Sequence, residues 1–267
     1  MNNNNNKTAR YAVIGDPIEH SRSPELYAPM FERFGIKAEF ERIRVAPVEL
    51  ENIREIAKER ELRGFAVTMP HKKAILPYLD KLSGFAMKAG AVNIVCIDEG
   101  KLFGHNTDGA GLLSALREAG IEPAGRTAVI LGSGGAACAA KAALEDDGCI
   151  AHTVSRQHTK TGRAYPIEDA IFGCEVASSL VSKADILINA TPLGMQDGAP
   201  FSDLTFVSLL KPGCAVFDMV YRRDRETPLI NTAKSRGLLA ISGDRLLFNQ
   251  GVLAFKLWTG CDISEKD

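Results

Sequence analysis

The stretch Thr127–Ala137 narrows the possible folds more than any other part of the chain. Thr127–Leu131 is an uninterrupted apolar run, glycines at Gly132, Gly134 and Gly135 break it, and alanine-rich sequence runs from Ala136 to Asp146. That order predicts a strand, a tight turn and a helix, and its spacing fits the G-x-G-x-x-A form of the dinucleotide fingerprint. The glycines let the turn close and the backbone approach a pyrophosphate, whose charge rests at the helix N-terminus.

The rest of the chain has the same grammar. Strands are expected at Tyr11–Gly15, Phe40–Val45, Gly64–Thr68, Ala151–Val154, Ile186–Asn189 and Ala215–Asp218. Helices are expected at Pro24–Phe34, Pro47–Lys58, Gly109–Ala119, Ala136–Asp146 and Thr227–Arg236. Asn93–Ile97 and Lys101–His105 bracket Asp98, Glu99 and Gly100, a hairpin signal. Strand–helix alternation implies parallel sheets covered on both faces, and two sheets in two α/β domains are the economical reading. The length of 267 residues suits two domains. A last helix, Leu246–Gly260, arrives after the second sheet should be complete, so it either caps that domain or crosses back onto the first.

A formal net charge of −1 gives no reason to expect a nucleic-acid partner. No apolar stretch approaches the roughly 18–20 residues that cross a bilayer, and Met1–Asn6 has neither a basic nor an apolar signal region. Residues 1–6 read as a disordered leader or cloning remnant, and the chain as cytoplasmic. Cys96, Cys138, Cys149, Cys174, Cys214 and Cys261 show no C-x-x-C or metal-ligand spacing, so they read as small buried hydrophobes.

The strand after the glycine turn discriminates between cofactors. An NAD site wants a carboxylate near its end for the ribose 2′-hydroxyl. Here Ser155, Arg156 and Lys160 follow instead, and Arg156 with Lys160 can clamp a 2′-phosphate, so NADP is expected. In the first half, polar residues gather where strands end: Ser21 and Ser23, Thr68 to Lys72, Asn93, and Asn106 to Gly109. Ligands of open α/β sheets bind beyond those ends. Oxidising a secondary alcohol requires removal of its proton as hydride leaves. Lys72 is the candidate acid/base and Asp108 the group that orients the hydroxyl, with His71 and His105 as rivals.

These segments together resemble the shikimate dehydrogenase family from about Tyr11 to Gly260. The residues that carry the likeness are Ser21, Ser23-Pro24, Val67-Thr68, Pro70, Lys72, Gly90–Asn93, Asn106–Gly109, the glycine turn, Asn189–Pro192, Gly194-Met195, Asp218–Tyr221, Gln250-Gly251 and Ala254–Gly260. The resemblance implies a substrate domain of residues 7–107 and 243–267, completed by the C-terminal helix, and a Rossmann-like NADP domain of residues 108–242. It implies reversible reduction of 3-dehydroshikimate to shikimate, a step of aromatic amino acid biosynthesis, without metal, by a monomer or homodimer. Ser21, Ser23, Thr68, Lys72, Asn93, Asp108, Tyr221 and Gln250 would line the substrate site. Gly132, Gly134, Gly135, Ala136, Ser155, Arg156, Lys160, Thr191, Met219 and Gly243 would face the cofactor.

Hydroxyl and amide side chains suit a ring with several hydroxyls, and Ser21 with Ser23 can receive its carboxylate. Departures from the family pattern are Ala66 for asparagine, His71 for phenylalanine, Tyr27-Ala28 for His-Asn, and Arg222-Arg223 where a proline is frequent. They leave two alternatives: a relative that prefers quinate or has relaxed cofactor choice, and a non-catalytic NADP-binding sensor.

Overall fold

The computed structural model describes residues 8–155, 171, 174–196 and 198–263. The expected leader, Met1–Asn6, and the expected clamp residues Arg156 and Lys160 lie outside the described residues. The chain divides into two compact units, residues 1–107 with 250–267, and residues 108–249. The break therefore falls at Gln250, inside the last helix, rather than at the expected residue 243.

In the first unit β1 (Ala9–Gly15) lies between β2 (Ala38–Arg44) and β3 (Leu62–Val67), parallel to both. β1 is buried along nearly all its length, as a central parallel strand must be. Helix α1 (Ser23–Arg33) carries the chain from β1 out to β2. The expected helix over Pro47–Lys58 is two pieces, a 3-10 turn at Pro47–Asn52 and then α2 (Ile53–Glu59).

After β3 come two short helices, α3 (His71–Ala74) and α4 (Gly84–Ala89), and a two-residue strand, β4 (Lys81–Leu82). None carries enough periodic sequence to be read in advance. β5 (Ile94–Asp98) and β6 (Lys101–His105) form the expected hairpin, with Asp98 opposite Lys101 and positive φ at Glu99 (46°) and Gly100 (75°).

The expectation of two parallel sheets fails in this unit. The sheet order is β2-β1-β3-β5-β6-β4, and β5 runs antiparallel to both β3 and β6. The tight turn at Glu99-Gly100 accounts for the antiparallel β5–β6 pair, since parallel neighbours need a crossover, and the long path from β3 to β5 then delivers β5 to β3 in the antiparallel sense.

The second unit begins with α5 (Asp108–Glu118), then β7 (Thr127–Leu131), α6 (Gly135–Asp146) and β8 (Ile150–Val154). It continues with α7 (Glu175–Lys183), β9 (Ile186–Asn189), β10 (Ala215–Asp218), α8 (Pro228–Ser235) and β11 (Leu239–Ile241). All described pairings here are parallel, in the order β11-β10-β9-β7-β8. One face packs Val129, Leu187 and Val216 under α7 and α8, the other packs Ile130, Ile188 and Phe217 under α5 and α6. This is a doubly wound sheet.

The last helix, α9 (Gly243–Thr259), ends among the first unit's aromatics. Phe255 is fully buried against Phe31 and Phe34, and Trp258 packs in tilted and edge-on contacts with Tyr11, Tyr27 and Phe40, ring centroids 5.0–5.8 Å apart. The Trp258 indole N–H donates to the Val95 carbonyl at 3.1 Å. Of the two roles open to this helix, its C-terminal half crosses back.

Candidate active site

In the first unit the chain leaves β1, crosses to β2 on one side, and returns as β3 on the other. Such a switch point opens a crevice at the carboxyl ends of the two central strands. There the Thr68 N–H donates to the Ile14 carbonyl at 2.9 Å and the Asp16 N–H to the Met69 carbonyl at 3.0 Å, which joins the two loops. Thr68 is half-buried beside Gly15. Ser21 and Ser23 meet, with 3.2 Å between their hydroxyls, and Ser23 opens α1 as a buried residue.

Because β5 runs opposite to β3, its start reaches the same end of the sheet. Asn93, directly before β5, is 3% exposed. Its Oδ1 accepts the Thr107 N–H at 2.8 Å, and its Nδ2 donates to Thr107 Oγ1 at 2.9 Å and to Gln250 Oε1 at 3.3 Å. The Thr107 hydroxyl also donates to Gln250 Oε1, at 3.4 Å. Gln250, from the last helix, is thus fixed against Asn93. Thr107 was a turn residue without a role in the sequence; its hydrogen bonds make it the link. Asn106 supports the same corner by donating to the Ala91 carbonyl at 2.9 Å.

Lys72 sits in α3, half-buried, and its carbonyl accepts the Val92 N–H at 2.8 Å. The rival His71 is fully buried with Nε2 2.6 Å from the Val45 carbonyl, so its ring tethers α3 to the chain after β2. No described partner meets its Nδ1. The rival His105 lies within β6, where burial lowers its pKa by disfavouring the charged imidazolium. Asp108, 4% exposed, opens α5, and Tyr221 is half-buried after β10.

In the second unit the glycine turn is as the fingerprint requires. Gly132 has φ +121°, and a Cβ there would stand 3.0 Å from the Ala190 carbonyl oxygen. No side chain caps α6 at Gly134, which leaves the first-turn N–H groups, around Gly135 and Ala136, for an anion. These features fit a dinucleotide pyrophosphate. Ser155 follows β8, buried.

The loop after β9 is braced from below. The Thr191 N–H and hydroxyl both donate to Asn189 Oδ1, at 3.0 and 2.6 Å, while Asn189 Nδ2 donates to Asp218 Oδ1 at 2.8 Å. Asp218 further accepts from the Thr227 hydroxyl at 2.6 Å and the Val220 N–H at 3.0 Å. Burial pushes its carboxyl up to about 6 in spite of those donors. The Met219 N–H donates to the Asn189 carbonyl at 2.9 Å. Gly243 lets α9 begin against this loop, since a Cβ would come within 2.7 Å of the Met219 carbonyl. Sequence reasoning assigned Asn189 and Asp218 no role; the available signal was a polar residue ending each of two apolar strands.

One α/β unit with a dinucleotide turn, and another with amine, hydroxyl and amide groups at its strand ends, define a nucleotide-dependent dehydrogenase. Comparisons narrow the class. The family profile described as the shikimate dehydrogenase substrate binding domain matches residues 13–95. A shikimate dehydrogenase (NADP(+)) from Rubrobacter xylanophilus is 40% identical over 96% of this chain and 92% of its own. Its counterpart from Symbiobacterium thermophilum is 38% identical over 93% and 88%. The structure of shikimate 5-dehydrogenase from Thermus thermophilus in complex with NADP(H) and shikimate matches 96% of this chain and 95% of that one, with TM-score 0.81 and 35% identity. The chain belongs to the shikimate dehydrogenase family.

Proposed function

We propose that this protein is an NADP-dependent oxidoreductase that interconverts 3-dehydroshikimate and shikimate. The observation that carries the reading is the hydrogen-bonded set Asn93, Thr107 and Gln250, at the same end of the first unit's sheet as Thr68 and the hydrogen-bonded Ser21–Ser23 pair. It offers amide and hydroxyl groups. That donor set matches a carboxylate with several ring hydroxyls, and a site built on hydrogen bonds penalises analogues that lack a partner, by about 10⁴-fold.

NADP supplies or accepts the hydride. The residues manage the proton and the pose. The Lys72 amine takes the proton of the reacting hydroxyl during oxidation and returns it during reduction, and the Asp108 carboxylate orients that hydroxyl. Ser21 and Ser23 receive the ring carboxylate. Thr68, Asn93, Gln250 and Tyr221 hold the remaining hydroxyls. Gly132, Gly134, Gly135 and Ala136 would receive the pyrophosphate, Thr191, Met219 and Gly243 would face the cofactor, and Ser155, Arg156 and Lys160 would hold the 2′-phosphate. The small soluble substrate calls for neither membrane nor nucleic acid, and a cytoplasmic monomer or homodimer suffices.

The test is product identification. Incubation with shikimate and NADP⁺ should yield 3-dehydroshikimate and NADPH in equal amounts, read by chromatography and absorbance. NADPH binding with no ketone formed from either ring acid would assign the chain to sensing instead.

A further inference from the structure

No regular structure spans Asp16–Arg22, the segment that leads to both serines. Its shape is set from the neighbouring strand. Arg42 and Arg44 lie two apart on β2 and therefore share a face. Arg44 reaches the start of the segment, with Nε 2.8 Å from Asp16 Oδ1. Arg42 reaches its end: Nε donates to the Ser21 carbonyl at 2.7 Å, and the other arm of the fork meets Glu25 at 2.5 and 2.6 Å, inside the first turn of α1. Arg42 is the better buried of the two, at 28% side-chain exposure against 61%.

We infer that Arg42 is a positioning residue for the substrate carboxylate, holding Ser21 and Ser23 at the spacing that receives it. This rests on the proposed role of the two serines. One planar guanidinium spans a backbone carbonyl on one side of Ser23 and a carboxylate on the other. Glu25 neutralises its charge, so its contribution is geometric. A lysine ammonium has its three N–H donors on one freely rotating nitrogen and does not hold two partners in a fixed plane.

The experiment measures KM for shikimate, KM for NADP⁺, kcat and Tm for Arg42→Gln, Arg42→Lys, Glu25→Gln, Ser21→Ala and the double variant Ser21→Ala with Arg42→Gln. Arg60→Gln serves as control, because Arg60 pairs with Glu41 on the same strand. Arg42→Gln should raise KM for shikimate roughly tenfold, with kcat and KM for NADP⁺ within about twofold, and the double variant should fall short of the product of the two single effects. Arg42→Lys should not rescue. Glu25→Gln, an exposed change, should shift KM in the same direction if Arg42→Gln proves too unstable to assay.

Effects of Ser21→Ala and Arg42→Gln that multiply in the double variant would overturn the inference. So would an unchanged KM in both Arg42→Gln and Glu25→Gln while Ser21→Ala raises it. An unchanged KM in Ser21→Ala would instead remove the serines from carboxylate binding, and the inference with them.

Discussion

Lys72 lies in a four-residue helix whose position is secured by its neighbours rather than by its own propensity. Val92 donates to the Lys72 carbonyl, and His71 anchors the turn to Val45. Substitution Lys72→Ala should lower kcat by about 10²-fold or more while leaving the Kd for NADPH unchanged, as measured by steady-state rates and fluorescence titration. A variant with wild-type turnover would take Lys72 out of proton transfer. Arg156→Ala should raise KM for NADP⁺ far more than KM for NAD⁺, because only the former carries a 2′-phosphate; equal effects would place that phosphate elsewhere.

Asp218 makes a prediction with a definite sign. Its pKa rises from 3.8 to about 6 on folding, because burial disfavours the carboxylate. The folded state therefore binds the proton more tightly, and ionisation costs stability above about pH 6. That cost fades as pH falls from 6 towards 3.8 and is absent below both values. The difference in Tm, Asp218→Asn minus wild type, should thus be more positive at pH 8 than at pH 5. A difference that is flat or grows at pH 5 would contradict the burial of an ionised carboxylate at this position.

At the scale of elements, the glycine turn is the most demanding join. Gly132→Ala places a Cβ 3.0 Å from the Ala190 oxygen at φ +121°. It should lower Tm by several degrees and weaken NADPH binding at least tenfold in a titration. The turn was legible because its rule is local: apolar strand, glycines, alanine-rich helix. The β5–β6 hairpin was legible for the same reason. The direction in which that hairpin joins β3 was not, since Gly64 meeting Cys96 is a pairing between residues far apart in the chain. Nor was the brace Asn189–Asp218–Thr227, whose partners come from separate strands and loops. Arg42 escaped because its sequence, within Glu41–Arg44, reads as an ordinary charged edge strand. His71 was placed among catalytic rivals on residue type alone, and its complete burial gives it a structural task.

For the whole molecule, the last helix divides its loyalties. Leu246 packs in the second unit's core, and Ala254 and Phe255 pack in the first unit's. Phe255→Ala should therefore destabilise the first unit by about 3–5 kcal/mol, seen in denaturant as an early transition, with NADPH binding by the second unit retained. Residue pattern alone showed only that this helix came late, the family resemblance implied that it completes the first domain, and aromatic packing with Tyr11, Phe31 and Phe40 is the physical reason.

The most direct test of the whole account is the ratio of kcat/KM for shikimate to that for quinate, each with NADP⁺ and with NAD⁺ at saturating concentration, followed at 340 nm. The account predicts a large advantage for shikimate and for NADP⁺. Faster turnover of quinate, or equal use of NAD⁺, would contradict it while leaving the fold and the Lys72 chemistry in place.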